Sequence, residues 1–173
     1  GAYSYGSSGN GTILHLTSEL FKSQAGVDVV HVPYKGSAPA TQAILGGEVA
    51  FVFSTMPPAV SNAKAGKLRA LGVTTAKRVG SAPDVPTMIE AGMPGFEIVL
   101  YSGILGPKGM SPALVQKINQ AFAQAVASDE IRKVYEQIGA DPISGPPAQL
   151  GTLINDEIGK LGKLVKATGA KVD

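Results

Sequence analysis

Cysteine is absent from this 173-residue chain, which excludes disulfide bonds, thiolate catalysis and cysteine-ligated metals. Aromatic residues make up only 6% and charged residues 16%, with a formal net charge of +2, and no basic tract marks a nucleic-acid surface. No apolar run approaches the length of about 20 residues that a membrane span requires. The composition is 44% hydrophobic, which is typical of a globular protein with a substantial core.

The chain begins with GAYSYG, without a methionine and without a signal-peptide pattern. A start of this kind predicts a trimmed chain or a fragment of a longer protein. The lack of cysteine is compatible with an oxidising compartment but does not require one.

Short strands and helices alternate in the first part of the chain. Strands are predicted at 27–34, 48–53 and 68–75. Helices are predicted at 13–25, 37–45 and 57–66. Gly26 is placed to end the first helix and Ser37 to cap the second. The alternation predicts an α/β fold with a mainly parallel sheet, whose crossovers bring the strand-to-helix loops to one edge.

After residue 76 the pattern changes. A Pro- and Gly-rich connection with one short helix leads to an apolar run at 96–107, which predicts a strand that crosses between two units. Three amphipathic helices follow, with apolar stripes that begin at Leu114, Ile131 and Leu150. The change in pattern therefore predicts an α/β unit before this strand and a mainly helical unit after it.

Three loops rich in small polar residues are candidates for ligand binding: the first loop (7–12), the second loop (34–39) and the third loop (53–58). At a helix N-terminus, free N–H groups and the helix dipole stabilise an anion by about 0.3–2 kcal/mol. Ligands bind open α/β sheets at the carboxyl ends of the strands, so we expect the loops to converge there. A glycine-rich loop is also typical of a plain turn with an N-cap, and both interpretations stay open. The candidate residues of the first loop are Ser7, Ser8, Gly9, Asn10, Gly11 and Thr12.

Further candidates lie on or near these loops. His15 could hydrogen-bond the first loop or a ligand, or serve the core, whereas His31 lies inside a strand pattern that favours a structural role. Lys35 could meet a carboxylate or stay a solvated charge, and two tyrosines could offer a hydroxyl or a ring face. These tyrosines are Tyr34 and Tyr101. The remaining candidates are Gly36, Ser54 and Thr55.

Motifs for catalysis and cofactors are missing. GSSGNG is neither the G-x-S-x-G of a nucleophile elbow nor the G-x-G-x-x-G of a dinucleotide site. The two histidines are far apart in sequence and in different kinds of element, which makes a metal site unfavourable. No nucleophile–base pair is evident, so we expect no catalytic residue, no metal and no cofactor.

Several motifs resemble one family. YGSSGNGTILHLTSELFKSQAGVDVVHVPYKGSAPA, LGGEVAFVFSTMP, AGKLRALGVTTAKR, PDVPTMIEAGMPGFE, GILGPKGMSPALVQKIN and KLVKATGAKVD are similar, in this order, to the substrate-binding proteins of tripartite tricarboxylate transporters, the Bug or TctC family. The resemblance covers essentially the whole chain. It implies a periplasmic receptor of the type II periplasmic-binding-protein kind, with two α/β lobes that close on a small organic anion and deliver it to a membrane permease.

The resemblance also implies that most of the first lobe is missing from this sequence. The resemblance implies a division of the chain into two units. Residues 1–100 then resemble an α/β second lobe with ligand-facing loops, and residues 101–173, a crossover strand and the C-terminal helices, resemble the part of the chain that completes the first lobe. Ser54 stands where many relatives have an aspartate, which disfavours an amine-bearing ligand and leaves room for a di- or tricarboxylate or an aromatic acid.

The leading hypothesis is therefore a binding protein without turnover. The alternatives are an enzyme that uses the same loops on a small carboxylate or phosphoester, and a sensory ligand-binding module. Without their partner lobe, the C-terminal helices would expose apolar stripes. We expect them either to fold back on residues 1–100 in an arrangement foreign to the family or, preferably, to form a homodimer.

Overall fold

The computed structural model of the protein describes residues 2–170; Gly1 and residues 171–173, which end the second predicted unit, lie outside them. Its sheet has three parallel strands, β1 (Tyr3–Ser7), β2 (Val29–Pro33) and β3 (Phe51–Val52), in the order β2-β1-β3. Helices α1 (Ile13–Ala25), α2 (Ser37–Leu45) and α3 (Met56–Lys64) each follow one strand. This confirms the predicted α/β fold.

The three helical stripes of the second half form α4 (Pro112–Ala127), α5 (Asp129–Ile138) and α6 (Pro147–Thr168). They fold back on the α/β part, because α6 packs against α1 and α5 against α3. Apolar side chains stay exposed on these helices, among them Leu114 (46%) and Ile158 (65%). A single chain does not test the homodimer or the division at residue 100, so both stay predictions. None of the described helices is long and apolar enough to span a membrane.

The core lies between the sheet and the helices. Tyr5 and Phe96 are fully buried, and an aromatic contact joins Tyr5 to Phe51 at 5.6 Å between ring centroids. The other buried apolar side chains are Leu14, Leu16, Val29, Ala40, Ala43, Val49, Val73, Met88, Ile98 and Val126. The strands that carry the candidate loops are therefore anchored beneath those loops.

Two predicted strands are wrong. Within 68–75 the structure forms only an isolated parallel bridge between Val73 and Thr87. The run 96–107 joins no described ladder; Ile98 N–H donates to Thr74 O at 3.0 Å, but Ile104 and Leu105 beyond it are 61% and 75% exposed. An apolar run needs a neighbouring strand to pair with, and none lies beside these residues in the part of the chain that the structure describes.

The short helix predicted within the connection is also wrong, because the structure forms a single closed turn there. Thr87 N–H donates to Glu90 Oε2 at 2.7 Å, and Glu90 N–H donates to Thr87 Oγ1 at 3.0 Å. The turn makes one helical hydrogen bond, from Ala91 N–H to Thr87 O. Gly92, the next residue, has φ 99° and ends the turn. Arg78 fixes the turn to the preceding loop by an ion pair with Glu90 at 2.9 Å.

Strand β1, which the pattern did not predict, lies at the centre of the sheet and contains a glycine for a steric reason. A Cβ on Gly6 would lie 3.0 Å from Val52 Cγ1 and 3.2 Å from Tyr34 Cε2. We expect Gly6→Ala to lower the free energy of unfolding by about 1–3 kcal/mol, because a packed core does not accept an added methyl group. Urea denaturation measures the change.

The matched control is Gly159→Ala in α6, where an added Cβ meets nothing within 4 Å. There the same substitution should raise stability by about 0.5–1 kcal/mol, since alanine favours a helix interior. Equal effects at both positions would contradict the steric reason given for Gly6.

Candidate functional site

The structure brings the three candidate loops together at the carboxyl edge of the sheet. Tyr34 N–H donates to Ser7 O at 3.0 Å and Gly36 N–H donates to Ser8 O at 3.2 Å, which joins the second loop to the first. The third loop joins through Thr55, whose hydroxyl donates to Ser37 Oγ at 3.3 Å. Ser54 Oγ lies 3.3 Å from Thr41 Oγ1, within hydrogen-bond distance.

The first loop uses most of its own donors internally. Gly9 N–H donates to Ser7 Oγ at 3.2 Å, Gly11 N–H to His15 Nδ1 at 3.0 Å, and Thr12 N–H to Gly9 O at 3.4 Å. The hydroxyls do the same, since Ser8 Oγ donates to Thr12 Oγ1 at 2.9 Å and Thr12 Oγ1 to Gly9 O at 2.8 Å. The N–H groups of Gly9, Gly11 and Thr12 are therefore already paired within the protein, and the role of residues 7–12 as ligand contacts stays a prediction.

The N-terminus of α2 offers the open donors instead. Gly36 is its N-cap at φ 114°, and no side chain caps the helix, so the prediction that Ser37 is the cap is wrong. Of the N–H groups that a helix leaves without intrahelical partners, that of Gly36 already donates to Ser8 O, and Pro39 has none. The N–H groups of Ser37 and Ala38 remain, with no partner recorded within residues 2–170.

The neighbouring helices differ from α2 in their first turns. Thr12 caps α1 by accepting from His15 N–H at 3.4 Å, and Leu14 in its first turn is buried. The first turn of α3 contains Pro57 and Pro58, which have no N–H to offer. Because Lys35 precedes α2 and is exposed, the second loop combines a cation with open N–H groups at a helix N-terminus.

The two tyrosines do not point to the same place. Tyr34 Oη donates to Glu48 Oε2 at 3.2 Å, in the turn before β3, and burial followed by this bond raises the pKa of its hydroxyl. Tyr101 is 39% exposed; burial and then Glu157 and Glu97 raise the pKa of its hydroxyl. No hydrogen bond joins Tyr101 to the loops among the described residues, so its role as a ligand contact stays a prediction.

A pair of stacked histidines lies under the first loop. The rings of His15 and His31, which we call the histidine pair, are 4.0 Å apart between centroids and 8° from parallel. His31 Nε2 lies 2.6 Å from Ser7 Oγ, and its ring stacks on Tyr5 at 4.9 Å. A serine hydroxyl and an imidazole therefore do lie within hydrogen-bond distance, and the expectation that the chain has no such pair was wrong. Ser7 is nevertheless fully buried, which keeps it from any substrate.

The surroundings keep the histidine pair neutral. Burial, and then the neighbouring His15, lower the pKa of the His31 imidazole to about 4. Burial also lowers the pKa of His15, against the opposing attraction of Glu19. No group of three or more His, Asp or Glu side chains suited to a metal ion occurs in the described part of the chain.

A family model, the tripartite tricarboxylate transporter family receptor, matches residues 1–170. The chain belongs to this receptor family. It is 35% identical to the protein BugT of Bordetella pertussis over 94% of its own length and 50% of BugT. A structure of an R. palustris protein with adipate matches with a TM-score of 0.91 and 34% identity, over 99% of this chain and 57% of that one. MatC of Rhodopseudomonas palustris, with bound malate, matches with a TM-score of 0.81 and 29% identity, over 94% and 56%.

This receptor chain spans about half the length of most curated relatives it matches, for example 49% and 50% of two of them. The match over 99% of the chain includes the C-terminal helices, so their packing on the α/β part is shared with a relative. The expected arrangement foreign to the family is thus wrong.

Ser37 and Ala38 lie in the second loop, 34–39, which the sequence marks as a candidate, but they are not among the individual residues that it singles out. The signal was available in GSAP, since glycine before the helix and proline at its third position leave two N–H groups and no capping side chain. The helix prediction instead assigned Ser37 as the cap of α2.

Glycine at the start of α2 provides a test of this site. We expect Gly36→Ala to weaken carboxylate binding about tenfold, because φ 114° strains any side chain and a shifted backbone would misalign the N–H groups of Ser37 and Ala38. Isothermal calorimetry of the purified protein with a series of small carboxylates measures the affinity.

The matched control is Gly47→Ala, just beyond the other end of α2, where φ is 75° and an added Cβ meets nothing within 4 Å. It should lose stability through the same kind of strain and keep its affinity. Equal losses of affinity in both variants would show that the effect is general destabilisation.

Proposed function

We propose that this chain forms the part of a periplasmic receptor that binds one carboxylate of a small organic dicarboxylate at the N-terminus of α2. The observation that carries the proposal is the open pair of N–H groups at Ser37 and Ala38, beside Lys35, where the three loops meet. Such a site favours an anion through aligned donors and the helix dipole.

One feature of the comparisons and one of the structure support a dicarboxylate. The relatives with adipate and with malate both contain a dicarboxylate, and each matches nearly the whole of this chain. Ser54 adds no negative charge at the edge, and its hydroxyl lies beside Thr41. A tricarboxylate or an aromatic acid also carries a carboxylate for these donors, and adding both kinds of acid to the ligand screen described below separates them from the dicarboxylates.

The family membership supports the further steps of the proposed role. A receptor of a tripartite tricarboxylate transporter delivers its ligand to the membrane permease of that transporter, and we assign this chain the same partner and the periplasm as its location. A sensory role would use the same binding site with a different partner. Pull-down of the permease from membranes, with and without ligand, distinguishes the two.

An enzyme remains the second candidate, because Ser7 and His31 form a close hydroxyl–imidazole contact. Three observations oppose it. Ser7 is fully buried, its Oγ also accepts from Gly9 N–H, and no carboxylate hydrogen-bonds His31 within residues 2–170. A hydrolase would need that serine exposed to its substrate and its histidine oriented by a third group.

A thermal-shift screen of organic acids tests the proposed function. Adipate and malate should raise the melting temperature, and at a hundredfold excess over Kd the stabilisation should be about 2.7 kcal/mol. The diol and the diamine with the carbon chain of adipate are matched controls, which should have no effect because they lack carboxylates. Stabilisation by the diamine alone would overturn the proposal, and consumption of adipate during incubation, followed by proton NMR, would favour an enzyme.

A further inference from the structure

The histidine pair holds the first loop at both ends. His31 Nε2 contacts Ser7 Oγ, at the residue where β1 becomes the loop, and His15 Nδ1 accepts from Gly11 N–H just before α1 begins. The rings stack on each other, so displacement of either imidazole removes the stacking contact that holds the other in place. Between these two points the loop carries Ser8, whose carbonyl accepts from Gly36 N–H and so sets the start of α2.

Only a neutral His15 fits this arrangement. Because its Nδ1 accepts a hydrogen bond, the ring proton is on Nε2. A protonated His15 would turn a second N–H toward that of Gly11, and two donors cannot form a hydrogen bond. It would also place a positive charge 4.0 Å from the His31 ring, in a buried site.

The charged and titratable groups around the pair are few. From α1, Glu19 favours and Lys22 opposes a charge on either ring. From β1, Tyr5 stacks on His31 and donates its hydroxyl to Glu19 Oε1 at 2.5 Å, which occupies that carboxylate. No charged group of β3 or α6 is recorded as acting on either imidazole within residues 2–170.

We propose that His15 and His31 are positioning residues that hold the first loop, and through it the N-terminus of α2, in the carboxylate-binding conformation only while both rings are neutral. The inference rests on the proposed function and adds its regulation: acidification releases the loop and weakens binding. The direction of the pH effect follows from burial, which lowers the pKa of the imidazoles below the ordinary histidine value of about 6.5. Acid therefore favours the state in which the rings are protonated and the loop is released. The effect therefore lies below about pH 6.5.

Matched variants of His31 test the positioning. Glutamine places its amide near the position of Nε2 and can keep a contact with Ser7, whereas asparagine reaches only the position of Nδ1. We expect His31→Asn to bind adipate about five- to tenfold more weakly than the wild type at pH 7.5, the effect of about one hydrogen bond, and His31→Gln to recover most of that loss. Equal affinities of the two variants would overturn the positioning role.

The pH dependence is tested by comparing the wild type with His31→Gln and His15→Asn, in which one or the other imidazole can no longer titrate. Adipate itself gains protons in acid, but it does so equally for every variant. Between pH 7.5 and pH 5, affinity should fall several-fold further in the wild type than in the double variant that carries both substitutions. Parallel falls would overturn the proposed regulation.

A ligand-free measurement separates this inference from the proposed function. In nitrogen-15 NMR spectra of the wild type, the amide signals of Gly9 and Gly11 should shift with the titration of the histidine pair, and the His15 ring should show a bare Nδ1 at neutral pH. If the chemical shifts of the Gly9 and Gly11 amides do not change as the histidines titrate, the inference is overturned, whether or not a ligand binds. If adipate and malate fail to bind the wild type at any pH, the proposed function fails. The NMR titration alone then tests whether the histidine pair holds the first loop.

Discussion

Two backbone hydrogen bonds past the end of the β1–β2 pairing determine the geometry of the whole carboxyl edge. Tyr34 N–H to Ser7 O and Gly36 N–H to Ser8 O continue the ladder of the strands into the loops. They fix where α2 begins, occupy the first of its free N–H groups, and leave those of Ser37 and Ala38 at the edge. The closed first loop and the histidine pair beneath it keep Ser8 in place for this contact.

The sequence predicted those elements whose signals are local. The helical spacing from Ile13, with Gly26 in the left-handed conformation at φ 63°, gave α1 its correct ends. The prolines at the start of α3 and the apolar stripes of the later helices were similarly decisive, because capping and periodicity are properties of neighbouring residues. The motifs that resemble the receptor family led to the correct family.

Elements that depend on distant partners were not predictable in the same way. Strand β1 contains Gly6, a residue of low strand propensity, and glycine fits there because Val52 and Tyr34, which are distant in sequence, pack close to its Cα. The run 96–107 has the composition of a strand but no strand beside it among the described residues. In the candidate site, the loops could be located from sequence, but which N–H groups stay open depends on contacts such as Gly11 with His15.

The central claim is that a ligand carboxylate binds at the N-terminus of α2, and titration of adipate into the nitrogen-15-labelled protein tests it most directly. The amide signals of Ser37 and Ala38 should show the largest saturable shifts, with smaller shifts for Gly9 and Gly11, whose N–H groups already have partners. Largest shifts at the cleft of about 620 Å³ that Phe21, Gln24 and Met93 help to line, or saturable binding that leaves Ser37 and Ala38 unmoved, would contradict the claim.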